Sequence, residues 1–482
     1  MDNEKKSKIM AYIRNQITLS GNALLEKTLN DNGEKLAYRD IYHSLHGYMR
    51  DFERGVHEPR WIAVSGLRGV GKTTVLAQLY TDLKTEKFKK LYLSLDQTTS
   101  LGFSLQEIIS SYEEFLGESF ETLKSPLFLF LDEVQYQENW AVISKTIYDR
   151  AKNVFIIETG SSAIALQTNA DIHRRMILQK IYPFSFCEYI HAKFQHTVSK
   201  ELSTRIKVAL FYSENADEVY TKLQKETENV MTYFDGIEKF DIDKYLKYGT
   251  LPFVLFTSNE SIIYQQINGV MGTVIDKDVT KLETFDKTTI SKLPQLLYAL
   301  SGADIVSNLK LSQVVGLDPR TVTQVLDAFE KTGIVFRVMP YGHHYSQVKK
   351  PSKYLFTSSS YRAMYYNLIG SIEQFENYKG KLLEDIIGMY LNRLFADNLG
   401  TISLTYDNAQ SGADFILEIK AQHRKIVLEV STGKKGQKGI EQTVSTLKKV
   451  EGAYGLIISQ NHLAIDRVNN CVFVPIEYFF SM

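Results

Sequence analysis

The chain has 482 residues and a mass of 55.2 kDa, so it is too long for one ordinary domain and predicts about three at roughly 150 residues each. Hydrophobic residues make up 44% and charged residues 23%, a balance that excludes a disordered chain. The 56 basic and 56 acidic residues cancel, so nucleic-acid binding would need a local patch. Two cysteines, Cys187 and Cys471, exclude a disulfide framework and fit a reducing compartment.

The N-terminal residues are charged, and no apolar stretch of signal-peptide length follows them. No uninterrupted apolar stretch approaches the roughly 18 residues that predict a membrane-spanning helix. We therefore expect a cytoplasmic protein with no membrane partner.

The first part of the chain, residues 1–59, has apolar residues at helical spacing, among them Ile9, Tyr12 and Ile13. This pattern predicts an N-terminal helical segment. It changes at Trp61, where a short apolar run begins.

The apolar run WIAVS (61–65) leads into GLRGVGKT (66–73), and a helical pattern follows. This is G-x-x-x-x-G-K-[ST] between a strand and a helix, as a phosphate-binding P-loop requires. A glycine turn without a ligand is the alternative. The P-loop interpretation assigns nucleotide contacts to Gly66, Arg68, Gly69, Val70, Gly71, Lys72, Thr73 and Thr74.

Three further strands are predicted at LYLSLD (91–96), PLFLFLDEVQ (126–135) and NVFIIETGSSA (153–163). Strands separated by helical stretches predict an α/β fold with a doubly wound parallel sheet. The carboxyl ends of such strands form one crevice. We therefore expect Asp132, Glu133, Thr159, Ser161 and Ser162 to converge on the P-loop.

The chemistry of these side chains predicts their roles. Lys72 would reach the β- and γ-phosphates of ATP, while Thr73 and Asp132 would hold Mg²⁺. Glu133 would orient or polarise the attacking water, although it could instead be a helix-start carboxylate. One hydroxyl among Thr159, Ser161 and Ser162 would sense the γ-phosphate or the water, and the others would form a turn or a cap.

Arg174 and Arg175 follow a short helical stretch after the fourth strand. An arginine here could stabilise the charge of the transition state, and we assign this catalytic role to Arg175. A solvated surface pair is the alternative.

The segment from Trp61 to Tyr189 resembles AAA-type ATPases of bacteria and archaea, in the STAND-like branch of P-loop proteins. The resemblance implies a P-loop ATPase core at 60–189 and a helical lid at 190–286. It rests on residues 66–73, 127–133, 159–162, Arg175 and the segments 183–186 and 188–189.

Within the predicted lid, YLKYGTLP (245–252) resembles the Tyr-Leu…Gly-Gly-hydrophobic-Pro signature of those ATPases. Thr250 stands where the signature has its second glycine. The other lid residues alternate between apolar and charged at helical spacing, which predicts amphipathic packing helices.

Residues 287–360 predict a winged helix. Gly316 ends one helix, Asp318 and Pro319 begin the next, and Gly333 ends it before a strand. The second helix would expose Arg320, Thr323 and Gln324 to DNA, although winged helices also serve as protein-contact modules. A basic hairpin follows, with His343, His344, Lys349, Lys350 and Lys353.

Residues 361–482 predict a second α/β domain. Glu384 lies on an amphipathic helix, and Asp414 and Glu429 lie on successive strands. These acids resemble the PD-(D/E)xK arrangement of restriction-endonuclease-like domains, which implies Mg²⁺ at a phosphodiester.

The lysine of that arrangement is absent, because the E-x-K position reads Glu429-Val430-Ser431. Lys434 or Lys435 could reach back from the basic loop 431–439. We expect a vestigial nuclease domain whose basic loop grips a phosphate backbone without cleaving it.

The sequence therefore predicts an ATPase that uses ATP and Mg²⁺ and couples its nucleotide state to a winged helix and a nuclease-like domain, with DNA as a partner. The alternative is a slowly hydrolysing nucleotide switch or scaffold that regulates a protein partner or self-associates. A P-loop kinase is disfavoured by the Asp132-Glu133 pair.

Overall fold

A computed structural model describes residues 3–84, 88–161, 170–303, 305, 307–368, 374–395, 401–431, 436–459 and 462–482. The chain divides into two compact units, Met1–Tyr182 and Pro183–Met482. The five-domain division predicted from the sequence is finer than this and stays a prediction.

The first unit alternates strands and helices. Its helices are α1 (Asn3–Glu26), α2 (Asp40–Glu53), α3 (Lys72–Asp82), α4 (Leu95–Ser100), α5 (Leu105–Leu116), α6 (Trp140–Arg150) and α7 (Ala170–His173). Its strands are β1 (Trp61–Gly66), β2 (Lys89–Ser94), β3 (Leu127–Asp132), β4 (Val154–Gly160) and β5 (Ile177–Ile181).

The five strands form one sheet in the order β2-β3-β4-β1-β5, and every neighbouring pair is parallel. The register sets Val64 beside Thr159 and Ser94 beside Asp132. The α/β class with a parallel-sheet core is therefore confirmed. Strand β4 lies between β1 and β3, so its carboxyl end adjoins both the P-loop and the acidic strand.

Strands β1, β3 and β4 are buried along their whole length, as continuous apolar runs predict for strands covered on both faces. The core of this unit includes Ile9, Tyr12 and Ile13 of α1 together with Trp61. Helix α1 thus contributes its apolar stripe to the core of the nucleotide-binding fold.

The second unit begins with helices and ends with a sheet. Its helices are α8 (Phe186–Phe194), α9 (Lys200–Phe211), α10 (Ala216–Lys225), α11 (Thr227–Phe234), α12 (Lys239–Lys244), α13 (Glu260–Thr273), α14 (Thr280–Leu282), α15 (Lys287–Gly302), α16 (Asn308–Val315), α17 (Pro319–Thr332), α18 (His344–Lys349), α19 (Ser359–Leu368), α20 (Phe375–Phe395), α21 (Gly436–Val450) and α22 (Ile476–Phe480). Its strands are β6 (Val335–Pro340), β7 (Lys353–Phe356), β8 (Ile402–Tyr406), β9 (Phe415–Ile419), β10 (Arg424–Val430), β11 (Tyr454–Ser459), β12 (Ala464–Asp466) and β13 (Cys471–Pro475).

These strands form a mixed sheet in the order β12-β13-β11-β10-β9-β8-β6-β7. Strands β6 and β7 are the antiparallel pair that follows the helix-turn-helix segment, and α18 connects them. Strand β6 also pairs with β8 in parallel, with Met339 beside Thr405. The predicted basic hairpin therefore belongs to the same sheet as the C-terminal strands.

The helix signals read from the sequence act as expected. Gly316 and Gly333 have left-handed backbones at the ends of α16 and α17, with φ of 65° and 79°. Asp318 caps α17 by accepting a hydrogen bond from the Arg320 amide at 2.6 Å. In the lid signature, the Thr250 hydroxyl is buried and lies 2.7 Å from the hydroxyls of both Ser358 and Ser360.

In the part of the chain that the structure describes, no helix is long and apolar enough to cross a membrane.

Candidate active site

The P-loop joins β1 to the N-terminus of α3. Gly69 and Gly71 have φ of 80° and 91°, values that residues with a side chain rarely adopt. A Cβ on Gly66 would lie 2.5 Å from Ile181 Cγ2. The glycines are therefore required both for the turn and for the close approach of β5.

Lys72 is the first residue of α3 and is buried, with 5% of its surface exposed. Its ammonium donates to the carbonyl oxygens of Gly66 at 3.1 Å and Leu67 at 2.9 Å. The Glu133 carboxylate lies 4.0 Å from it. The lysine and the glutamate therefore lie beside each other at the loop.

Asp132 is the centre of a hydroxyl cluster at the end of β3. Its carboxylate accepts hydrogen bonds from Thr73 at 2.8 Å, from Tyr92 at 2.9 Å and from Thr159. Burial, followed by the charge of Asp132, raises the pKa of Tyr92. The adjacent Thr73 hydroxyl and Asp132 carboxylate are hard oxygen donors of the kind that Mg²⁺ accepts, so these residues fit the ion.

Glu133 has a left-handed backbone with φ of 56°. Its amide donates to the Thr159 hydroxyl at 3.1 Å, and its carboxylate accepts from the Gln135 side-chain amide. The side-chain carbonyl oxygen of Gln135 in turn accepts a hydrogen bond from the Ser161 backbone amide at 3.3 Å. Glu133 is thereby tied to the end of β4 through two routes.

Three other predicted contacts lie on or beside the loop. Arg68 donates to the Tyr136 hydroxyl at 3.2 Å. Val70 is fully buried, and Thr74 is half-buried in α3. Ser162 lies outside the described residues.

Arg175 lies between α7 and β5. Its guanidinium contacts Asp149 and Asp171, each at 2.6 Å, and these hydrogen bonds raise its pKa. Arg174 pairs with Asp171 at 2.5 Å. In this conformation both arginines form ion pairs with acidic side chains of their own unit. A catalytic role of Arg175 at the transition state stays a prediction.

The second unit brings the three acids of the predicted nuclease site together. Glu384 lies on α20, Asp414 just before β9 and Glu429 on β10. The Asp414 amide donates to Glu429 at 3.3 Å, and the Val430 amide donates to Asp414 at 2.9 Å. Burial, assisted by the charge of Asp414, raises the pKa of Glu429 to about 9.

A lysine from elsewhere in the chain lies among these acids. Lys353, on β7, has 2% of its surface exposed and contacts both Glu384 and, at 3.2 Å, Asp414. The sequence interpretation counted Lys353 among the residues of a basic hairpin, and the structure places it on that hairpin but buries its side chain against these acids. Lys434 and Lys435 lie outside the described residues.

A family profile described as an AAA domain matches residues 58–190, and one described as a domain of unknown function (DUF8612) matches residues 239–368. An uncharacterized protein of Methanocaldococcus jannaschii, MJ1637, is 32% identical over 433 residues, which cover 87% of this chain and 84% of that protein. The chain belongs to the MJ1637 family. An uncharacterized protein of Haemophilus influenzae is 23% identical over an aligned stretch that covers 74% of this chain and 81% of that protein.

Solved structures similar to this member of the family include PCH-2 of C. elegans, at 16% identity and a TM-score of 0.26, covering 65% of this chain and 72% of that one. They also include AMPPCP-bound DnaA from Aquifex aeolicus, at 16% identity and a TM-score of 0.25, covering 61% and 89%. The P-loop NTPase fold rests on the AAA-domain match and on the parallel sheet with its glycine loop.

Sequence reasoning missed three residues of the site in this family member. Arg39, at the start of α2, donates to the carbonyl oxygens of Val70 at 2.7 Å and Tyr182 at 2.9 Å. Tyr92 contacts Asp132 directly, and Gln135 contacts Glu133 directly. The sequence did offer an indication for Gln135, because this residue lies only two positions after Glu133. Arg39 had none, because its contact depends on how α2 packs.

Proposed function

We propose that this protein binds ATP with Mg²⁺ at the P-loop and hydrolyses it. One observation carries the proposal. Lys72, Thr73, Asp132, Glu133 and Thr159 come from three separate segments and meet at one loop through direct contacts. The AAA-domain match over residues 58–190 supports the same chemistry.

Each side chain has a role in this proposal. Lys72 binds the β- and γ-phosphates, which replace the loop carbonyls as partners of its ammonium. Thr73 and Asp132 hold Mg²⁺, which neutralises charge on the phosphates when bound. Thr159 and Ser161 lie at the end of the adjacent strand, where they sense the γ-phosphate.

Glu133 orients the water that attacks the γ-phosphate. Its carboxylate faces the loop beside Lys72, and its exposed fraction of 19% leaves it accessible to solvent. A carboxylate within reach of the water can accept its proton as the oxygen bonds to the γ-phosphorus, while the bond from that phosphorus to the β–γ bridging oxygen breaks and ADP leaves.

Nucleotide binding tests the first half of the proposal. Lys72→Ala removes the phosphate-binding cation, and we expect calorimetry to show no ATP binding. Glu133→Gln is the matched control, because its amide keeps the shape of the site and should leave ATP affinity within about twofold. ATP binding by Lys72→Ala at wild-type affinity would contradict the site assignment.

Arg175 is proposed to act at the γ-phosphate, after release from Asp149 and Asp171. An arginine finger supplies on the order of 10³-fold or more in turnover, so Arg175→Ala should reduce kcat to that extent. Arg174→Ala is the matched control, since that arginine is more exposed. A fall in kcat of less than about threefold for Arg175→Ala would assign it to the local ion pairs.

A nucleotide switch that hydrolyses ATP slowly and regulates a protein partner is the second candidate. One contact favours this switch: the Gln135 side-chain amide donates a hydrogen bond to the Glu133 carboxylate. That carboxylate is the group that would otherwise accept the proton of the attacking water. Tight nucleotide retention with negligible turnover would support the switch.

DNA is the proposed nucleic-acid partner. Arg320, Thr323 and Gln324 are exposed on α17, and a groove of about 570 Å³ beside them is lined by Thr323, Arg337, Lys349 and Lys350, among others. Arg337 is paired with Glu330 at 3.1 Å, which reduces the positive field. Binding of the DNA phosphate backbone in this groove should weaken as the salt concentration rises. Stimulation of ATP hydrolysis by DNA would support coupling between DNA binding and the ATPase.

A further inference from the structure

The acidic cluster of the second unit has an ammonium at its centre. Lys353 Nζ donates to the Asp414 carboxylate at 3.2 Å and to the Asp414 carbonyl oxygen at 3.3 Å, and it forms an ion pair with the Glu384 carboxylate. The ammonium is therefore held by two hydrogen bonds to Asp414 and by the charge of Glu384. The Phe415 ring centroid lies 5.0 Å from the same nitrogen.

This arrangement does not fit Mg²⁺, the ion implied by the resemblance to PD-(D/E)xK domains. Mg²⁺ requires near-octahedral oxygen ligands and keeps several of its waters. Here a buried side-chain cation contacts two of the three acids, and an aromatic ring covers it. Among the residues that the structure describes, no group of three or more His, Cys, Asp or Glu side chains is arranged to hold a metal ion.

We propose that Lys353 is the resident cation of the Glu384–Asp414–Glu429 cluster and excludes a divalent metal from it. The cluster then serves as an internal brace and not as a nuclease centre. This inference concerns the second unit and is independent of ATP hydrolysis by the first.

The position of Lys353 gives the brace a mechanical role. Strand β7 is the last strand in the order of the sheet and pairs with β6, and Lys353 also forms an isolated antiparallel bridge with Ile305. Lys353 begins this strand, while its acidic partners lie on α20 and beside β9. The ion pairs therefore fasten the edge hairpin to elements that it does not reach by strand pairing.

Removal of the ammonium should loosen the hairpin. Lys353→Met keeps most of the side-chain volume but leaves the acids uncompensated, which is costly for buried charges. We expect hydrogen exchange of peptides covering 335–340 and 353–356 to accelerate by about tenfold or more. Lys349→Met, in the exposed end of α18, is the control and should leave that exchange unchanged.

Metal binding by the unaltered chain provides a second test that needs no folded Lys353 variant. Nucleotide-free protein is titrated with Mn²⁺, and the bound ion is followed by electron paramagnetic resonance. We expect no saturable site, or one that Asp132→Asn abolishes because it belongs to the P-loop. A site that Asp414→Asn abolishes would overturn the proposal, as would unchanged hairpin exchange in a folded Lys353→Met variant.

Discussion

Gln135 bridges the catalytic glutamate of the proposal to the neighbouring strand. It is 9% exposed, and its amide joins the Glu133 carboxylate to the Ser161 backbone. Because a small displacement of a catalytic group can cost as much as about 10²-fold in rate, the bridge should matter for turnover more than for binding.

We therefore expect Gln135→Ala to lower kcat for ATP hydrolysis by roughly 10- to 100-fold, with little change in ATP affinity. Gln97→Ala, an exposed glutamine on α4, is the control. A kcat for Gln135→Ala equal to that of wild type would show that Glu133 needs no such support. A rise in kcat would instead identify Gln135 as a restraint and favour the switch.

Glu158 is a fully buried acid within β4. It accepts hydrogen bonds from Trp61 at 2.9 Å and from Ser144, and burial raises its pKa to about 7. A raised pKa means that the folded state holds the proton more tightly than the unfolded chain does. The stability that this contributes is complete below the unfolded pKa, near 4.3, and is lost as pH rises through about 7.

Glu158→Gln removes this titration while its amide can still bond to Trp61 and Ser144. The variant should gain stability relative to wild type between about pH 5 and pH 8, by on the order of 2–3 kcal/mol. Both tryptophans of the chain, Trp61 and Trp140, lie in the first unit, so denaturation followed by their fluorescence reports on that unit alone. An identical pH dependence in the two proteins would contradict the buried-acid interpretation.

At the scale of elements, one fully buried ion pair connects several elements of the second unit. Arg362 on α19 contacts Asp385 on α20 at 2.5 Å and donates to the Ser301 carbonyl oxygen of α15 at 2.7 Å. Asp385 also accepts from the Phe356 amide of β7 at 2.9 Å. A pair with both side chains at 0% exposure is costly to break, because the remaining charge stays buried.

We expect Asp385→Leu to destabilise the second unit by about 3–5 kcal/mol. Arg362→Met combined with Asp385→Leu should recover part of this loss, because no buried charge remains. Hydrogen exchange of second-unit peptides measures both effects without assuming a single transition. A double variant less stable than Asp385→Leu would show that Arg362 acts through its backbone contacts instead.

Motifs of a few residues predicted individual helices, strands and caps well. They could not predict contacts between residues that lie far apart in the sequence. The glycine loop, the acidic end of β3 and the caps at Asp318, Gly316 and Gly333 act within a few residues, so the sequence indicated them directly. The contact of Lys353 with Glu384 and Asp414 spans 31 and 61 positions. It depends on the pairing of β6 with β8, which no short motif encodes.

The whole molecule joins a P-loop unit to a unit whose sheet contains both the hairpin and the C-terminal strands. The sequence correctly predicted the parallel sheet and the convergence of its strand ends. It did not show that strand β6 would pair with β8, since hydrophobic alternation describes a strand but not its neighbour. The winged-helix and nuclease-like assignments stay proposals that rest on local pattern.

ATP hydrolysis by the P-loop residues and Glu133 is tested by steady-state phosphate release at saturating ATP and Mg²⁺, measured on wild type and Glu133→Gln side by side. We predict sustained turnover by wild type and a loss of about 10²-fold or more in Glu133→Gln, with ATP binding retained in both proteins. Equal rates in the two proteins would contradict the role of Glu133, and absence of turnover in wild type despite tight ATP binding would contradict the ATPase itself.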